Sequence, residues 1–592
     1  MTCSYGATVF FGIAVLTLYV GAFLWKKEEE RTSGLAWAIL LIILLGCYHT
    51  FAAGLLDIVH IPVNIWSVGV CDLILAGFFW YSIVRKKQMQ KYEYKVVDAV
   101  FLVILAAIVL IFARIHYGGS ALLVNYISID AGVHFRTAMD VVNSQSIANM
   151  FHDTVWNALL IEWLGSFTTV DYYFRLYVLG DIINLALSAV AFYALIRRYM
   201  KGWFVCIAGV FLAVVYLVEY PMNSTLFGFS YLGMSVTVIA MLIALTDLFL
   251  HDKVPKWFGI AGMMLGCLAL FESYVLFMPA TFFAILFCIF RKQWKQKHLI
   301  SKDTVIICLA VFLIPCLIGL WYTYRGIFSG GITVASAIAN EGGCYRELYA
   351  NFLFFLPAGA LGYVSLLKKK ENRLLVFLTP LLLLFTLVMF LRTLNGSTSS
   401  YYYYKLYFPI WLLLLVLNFY GVMYAAAQTR WVIASLAGVW CMLAVFFLGS
   451  VEEKIQIHNP LMVPSVRSIG YMDILSFNYT YLYMPGYSPE RIDLYHYVYQ
   501  ELLAQGETHV PGVISHEDSF WFQDITNQRY WDWDYYSMDN AGLDEKLRES
   551  GAGYVTVLYN SPLYVADQAY YDSLERVYEN GAGFVAKLVL KD

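Results

Sequence analysis

Long apolar runs alternate with short charged breaks along most of this chain. Runs of about 18 or more apolar residues are long enough to cross a bilayer core as helices. They fall at roughly 5–25, 35–56, 65–84, 96–115, 172–196, 202–219, 230–250, 257–273, 275–290, 304–323, 350–367, 374–392, 406–426 and 431–450. The pattern therefore predicts about fourteen transmembrane helices. The eighth and ninth are short. They form either a tight hairpin turning at Glu272 or one long broken span.

Charge sorts the loops. The short basic breaks are Lys26-Lys27, Arg85 to Lys95, Arg197 to Lys201, Lys253 to Lys256, Arg291 to Lys297, Lys368 to Lys370, and Arg430. With fourteen spans they all share one side, and Lys and Arg gather on the cytoplasmic side. Counting 257–290 as one crossing would move the later basic loops to the other side, so the charges favour the pair. Both termini and the loops 116–171, 220–229, 324–349 and 393–405 then lie outside.

Composition agrees with a membrane protein. The 592 residues are 60% hydrophobic and only 14% charged, where a soluble domain carries about 25% charged residues. Mean hydropathy is +0.64. The expected setting is a cell membrane crossed many times, with the lipid bilayer as a partner and no nucleic acid. The first apolar run has no basic lead, so it reads as a span and not as a secretory signal. The ten cysteines lack metal-type spacing, and none lies beyond residue 450. They read as small buried hydrophobes.

Beyond residue 450 hydropathy drops and acids dominate, with about 21 Asp and Glu against 9 Lys and Arg. Residues 451–592 are enough for a separate soluble domain. HVPGVIS (509–515), GYVTVLYN (553–560) and GFVAKLVL (583–590) alternate like strands, and DQAYYDSLERVY (567–578) reads as a helix. This predicts a C-terminal α/β domain. Its aromatic run, 519–536, either stacks on sugar rings or packs the domain against the membrane surface.

Four polar constellations stand out. The loop 116–171 is too long to be a simple connection. It carries Asp130, His134, Arg136, Asp140, His152, Asp153 and Glu162, and its amphipathic stretches predict short surface helices. If 130–134 is helical, Asp130 and His134 share a face. The carboxylate could take a proton from a hydroxyl, and the imidazole could face a phosphate. The pair could also bind a divalent metal, though two ligands do not define a site. The alternative is a polar loop with local ion pairs. Glu272, with Tyr274, sits in the apolar stretch LALFESYVLFMPA, either as a functional carboxylate or as a turn residue reaching water. Lys405 follows Tyr401 to Tyr404 at the mouth of a span, with Arg392 one span-end earlier. Lys405, Arg392, Tyr403 and Tyr404 suit a phosphate at the interface, or form an aromatic belt with a snorkelling lysine. The glycine-rich loop 324–349, with Arg325 and Arg346, could close over a ligand.

The layout resembles the GT-C superfamily of polytopic glycosyltransferases, which use polyprenyl-phosphate-linked sugars and include protein mannosyltransferases and aminoarabinose transferases. The likeness rests on a span followed by a large outer loop with Asp130 in SIDAGVHF. It rests also on YYFRLYVLGDIINLALSAVAFYALIRRYMKGW (172–203) and on the break before a proline in LALFESYVLFMP. The chain departs from the family where Ala131 follows Asp130 in place of a second acid, and where Glu272 stands for a lysine. The resemblance implies a three-span extension at 1–95, a GT-C-like membrane domain at 96–450 and an extracytoplasmic tail domain at 451–592. It implies Asp130 as general base toward the acceptor hydroxyl, with His134 assisting. Lys405, with Arg392 or the tyrosines, would hold the leaving phosphate of a polyprenyl-phosphate-linked sugar donor. A single displacement at the anomeric carbon inverts it. Glu272, Tyr274, Arg325 and Arg346 would line the substrate. The implied acceptor is an extracytoplasmic glycan or a lipid-linked molecule, as in the making of a cell-envelope polysaccharide. Two other readings stay open: a lipid-linked glycan polymerase or ligase, and a transporter or flippase of lipid-linked saccharides. The chain shows no clear internal repeat, which disfavours transport.

Overall fold

The computed structural model describes residues 4–26, 32–126, 130–148, 152–296, 301–325, 349, 352, 355–369, 372–428, 456–458, 468–470, 488–528 and 540–589. The predicted span 431–450 and Arg346 lie outside the described residues. Ten of the described helices are long and apolar enough to cross a membrane. The chain is thus a polytopic helical membrane protein.

The helices are α1 (Tyr5–Leu24), α2 (Gly34–Ile58), α3 (Ile65–Lys86), α4 (Val96–His116), α5 (Asp130–Ser144), α6 (His152–Leu164), α7 (Tyr173–Arg197), α8 (Trp203–Leu226) and α9 (Ser230–Leu250). Then follow α10 (Lys256–Ser273), α11 (Met278–Lys295), α12 (Lys302–Cys308), α13 (Ile314–Thr323), α14 (Leu356–Lys368), α15 (Arg373–Leu394), α16 (Ser400–Lys405) and α17 (Tyr407–Gln428). Local chemistry starts several of them. The Ser4 hydroxyl accepts from Ala7 N–H at the head of α1, and Asn64 and Ser67 form a reciprocal cap at the head of α3. α9 is the most enclosed span, with 94% of its apolar window buried. It packs on α7 and α10.

The stretch 256–295 is two antiparallel helices, not one continuous helix. Lys256 at the start of α10 pairs with Asp303 at the start of α12, at 2.8 Å. At the other end, a side chain on Gly319 of α13 would strike Phe271 of α10. α10 and α12–α13 therefore run parallel, and α11 must return between them. Lys292 near the end of α11 indeed reaches Asp252, just before α10, at 2.5 Å.

Helices meet most closely where both carry glycine. A Cβ on Gly362 would lie 1.8 Å from the Leu417 carbonyl oxygen, and one on Gly421 would lie 2.1 Å from that of Ala358. α14 and α17 thus touch backbone to backbone, the contact that small residues permit between membrane helices.

The predicted short helices of the long loop are present as α5 and α6, but not as surface helices: α6 is buried along nearly its whole length, and α5 buries Ala131, Phe135, Ala138 and Met139. In the tail, β1 (Gly512–Val513), β2 (Tyr554–Leu558), β3 (Arg576–Glu579) and β4 (Gly583–Lys587) form one sheet in the order β1-β2-β4-β3. The first pair is parallel and the other two are antiparallel. Helices at Pro489–Tyr497, His516–Ile525 and Asn540–Ser550 accompany the sheet. All three predicted strands are found. The predicted helix over 567–578 stops at Ser573, and Arg576–Glu579 is a strand. The turn after Glu579 is the reason. Asn580 N–H donates to Gly583 O at 2.9 Å, closing a hairpin that recruits the preceding residues into the sheet.

Replacing Gly362 by leucine forces α14 off α17. The expected cost is about 1–3 kcal/mol, read as a lower unfolding temperature of the detergent-solubilised protein. Leucine at Gly77, which has nothing within 4 Å of its Cβ position, is the control and leaves that temperature nearly unchanged.

Candidate active site

One end of the bundle gathers most of the residues singled out in the sequence. The stretch from Asp130 is helical, so Asp130 and His134 share a face of α5, one turn apart. His134 Nδ1 lies 3.2 Å from Asp153 Oδ2, and the Asp153 side chain is buried at the start of α6. Burial acts to lower the His134 pKa. The Asp153 carboxylate outweighs it, with help from Asp130 and Asp181, and the net shift is upward. The imidazole is thereby held toward its cationic form.

Asp181 is fully buried a little over two turns into α7. It accepts hydrogen bonds from the Tyr126 hydroxyl at 2.7 Å and from the Ser230 hydroxyl. This bond fixes the start of α9 and hence the next residue, Tyr231. Gly228 makes the approach possible. It has φ +74°, and a Cβ there would lie 2.6 Å from the Ala131 nitrogen. The α8–α9 turn therefore sits directly on the head of α5.

Tyr231 is the hinge of the site. Its ring lies 4.8 Å from that of His134 and 5.8 Å from that of Tyr274. Its hydroxyl and that of Tyr401 share a hydrogen bond. Lys405 is 4% exposed. Its ammonium stands 3.3 Å from the centroid of the Phe229 ring, 4.4 Å from that of Tyr401 and 5.8 Å from that of Tyr231. Aromatic faces hold a cation in this way. Asp130 and His134 on one side and Lys405 on the other thus converge on Tyr231.

Not every residue grouped in the sequence joins them. Tyr403 and Tyr404 turn away and pack on Tyr349, at 4.9 and 5.4 Å between rings. Arg392 is exposed in the last turn of α15. Arg325 pairs with Asp57 at 2.9 Å, and Tyr322 donates to the same carboxylate at 2.8 Å. Glu272 is buried at the end of α10, close enough to Tyr322 to act on it electrostatically. Its Oε1 atom has no hydrogen-bond partner among the described residues. Glu272 and Arg325 thus flank a second polar cluster at the same end, while Tyr274 belongs with Tyr231.

The other titratable groups of the loop are framework. Burial lowers the His152 pKa to about 4 and pushes Glu162 up to about 7. The Glu162 carboxylate accepts the Ile65 N–H at 2.8 Å. Arg136 donates to Gln523 of the tail at 2.7 Å. Phe520, Trp521 and Phe522 are buried. Trp521 stacks on Tyr126 and Phe135, both at 5.7 Å. This part of the aromatic run packs the tail onto α5, and residues 529–539 lie outside the described residues. Among the described residues, no group of three or more His, Cys, Asp or Glu side chains could hold a metal ion.

No family model, curated protein or solved structure matches this chain.

The His134–Asp153 pair supports a pH prediction. The histidine pKa is raised on folding, so the pair's stabilisation is complete below the ordinary value of about 6.5. It fades as pH rises through the higher folded value. Asp153→Asn should therefore lower the unfolding temperature most in mildly acidic buffer. The gap from the unaltered protein should narrow as the imidazole deprotonates, and thermal melts across pH 6 to 9 measure it.

Proposed function

We propose that this protein is a membrane glycosyltransferase of the GT-C type. It would move a sugar from a polyprenyl-phosphate donor to an extracytoplasmic glycan or lipid-linked acceptor. The observation that carries this reading is the convergence of the Asp130–His134 helix face and Lys405 on Tyr231. A base for an acceptor hydroxyl and cations for a phosphate are what the transfer needs. The distribution of basic loops supports an extracytoplasmic position for this end of the bundle and for the tail.

The step balances as a single displacement. The Asp130 carboxylate takes the proton of the acceptor hydroxyl. The new C–O bond forms at the anomeric carbon as the bond to the donor phosphate breaks. The electron pair leaves with polyprenyl phosphate, whose charge Lys405 and the His134 imidazolium stabilise. Of the residues grouped for the phosphate, Lys405 keeps the role, and Tyr401 replaces Tyr403 and Tyr404 beside it. Glu272 and Arg325 lie further along the same end, where an acceptor could enter.

Reconstitution with labelled polyprenyl-phosphate sugars and a membrane extract of acceptors tests the reading. Asp130→Asn should lower transfer at least about 100-fold. Lys405→Met should lower it by a similar factor, about 100-fold, by weakening leaving-group stabilisation. Unchanged transfer by Asp130→Asn removes Asp130 from the step. Movement of lipid-linked sugar across the bilayer with no bond cleaved sinks the enzyme and favours a flippase. Transfer of whole oligosaccharides in place of single sugars identifies a polymerase or ligase on the same site.

A further inference from the structure

At the end of the bundle away from Asp130, α2, α7 and α9 part around a cavity of about 710 Å³. Its wall is apolar. Leu40 and Ile43 of α2 face Ala191 and Ala194 of α7 and Ala240 and Ala244 of α9. The four alanines leave an open slot between three otherwise close-packed helices. Its rim is cationic, with Lys95, Arg197, Arg198, Lys201, Lys253 and Lys369 against only Glu93 and Asp247.

Three of those cations have protein acids. Lys95 pairs with Glu93 at 3.2 Å, Arg197 with Asp98, and Arg198 with Asp247 at 3.0 Å. Lys201, Lys253 and Lys369 have no acidic partner among the described residues. Lys369 has only the Tyr420 ring, at 5.8 Å. Three ammonium groups around one mouth repel one another, and an anion seated between them would remove that repulsion.

A small soluble anion would leave the apolar slot beneath it empty or wet. An amphiphile fills both parts. The basic loops place this end at the cytoplasmic leaflet, where acidic lipids gather and basic pockets between spans bind their head groups. We propose that the cavity binds an anionic phospholipid of that leaflet. Its phosphate sits among Lys201, Lys253 and Lys369, and one acyl chain lies along Leu40, Ile43, Ala191 and Ala240. The site is separate from the chemistry at Asp130 and does not depend on it.

The test uses the full chain in detergent, with native mass spectrometry for bound lipid and thermal melts for stabilisation. Phosphatidylglycerol should stay bound and raise the unfolding temperature, and phosphatidylcholine should do neither. The combined variant Lys201→Gln, Lys253→Gln, Lys369→Gln should keep its lipid-free melting temperature and bind phosphatidylglycerol at least about tenfold more weakly. Ala191→Phe, which fills the slot and spares the rim, should also lose the lipid. Equal binding of phosphatidylcholine, or unweakened phosphatidylglycerol binding by the triple variant, overturns the proposal. So does stabilisation by inorganic phosphate as large as that by phosphatidylglycerol, which would mark a soluble-anion site. Retention of the lipid by Ala191→Phe overturns the acyl-chain placement.

Discussion

A charge inside this bundle needs another group to answer it, because hydrocarbon offers no water to do so. That constraint decides how the helices are tied. Arg197 of α7 reaches Asp98 of α4, which also accepts from Tyr193 at 2.9 Å. Asp247 of α9 takes Arg198, Tyr199 and the backbone N–H of Asn372. His49 of α2 meets Asp72 of α3 at 3.1 Å. Asp57 gathers Tyr322, Arg325, Ser146 and the Ile147 N–H. Each cluster ties separate helices or loops together, and removing one member would strand its partners in a medium that penalises them. The apolar packing between the clusters is shape-filling, since lipid is as apolar as the core it replaces.

The same rule shapes the candidate site. Asp181 is answered by two hydroxyls, from Tyr126 in the long loop and Ser230 at the head of α9. These bonds bring loop, α7 and α9 to one point, and Tyr231 comes with Ser230. His134 is answered by Asp153 across two loop helices. Lys405 is held among aromatic rings. A carboxylate, an imidazole and an ammonium thus reach one small volume with the framework already built around them. Such preorganisation matters more to a transfer reaction than any single contact, because the dipoles need not reorient as charge develops.

Ten of the fourteen predicted spans coincide with helices long and apolar enough to cross a membrane, legible because bilayer thickness imposes a length and apolarity that few other folds require. The turn at Glu272 was legible through charge, and the Lys256–Asp303 and Lys292–Asp252 pairs give the same answer from geometry. Asp130 and His134 were legible because a four-residue spacing has one meaning once the segment is helical. The same rule applies at 400–405, but the tyrosine run hid it. Tyr401 and Tyr402 stand four and three residues before Lys405 in α16, one helical turn away, whereas Tyr403 and Tyr404 are too close to it in sequence to share its face. Read as a helix, the run would have favoured Tyr401 and Tyr402 over Tyr403 and Tyr404 beside Lys405. Tyr231 and the Asp153 partnership gave no local signal, since each depends on how distant helices meet. The segment 567–578 failed for a related reason: its helical spacing lost to strand pairing that only the downstream turn creates.

α5 links the candidate site to the tail. Asp130 and His134 lie on one face of it. Gly132, Phe135 and Arg136 form a second stripe at helical spacing, and the tail covers that stripe. A Cβ on Gly132 would lie 2.8 Å from Phe520 Cβ, Phe135 stacks on Trp521, and Arg136 donates to Gln523. Further contacts clamp the start of α7 to the tail, where Asp171 receives Gln500 at 2.6 Å and lies 3.0 Å from His496. A short amphipathic helix has little of its own to fix its rotation. Here the α8–α9 turn holds its head and the tail holds its outer stripe. Together with the His134–Asp153 tie to α6, these contacts hold the rotation that aims Asp130 and His134 at Tyr231. The tail is thus part of the mechanical support of the candidate site.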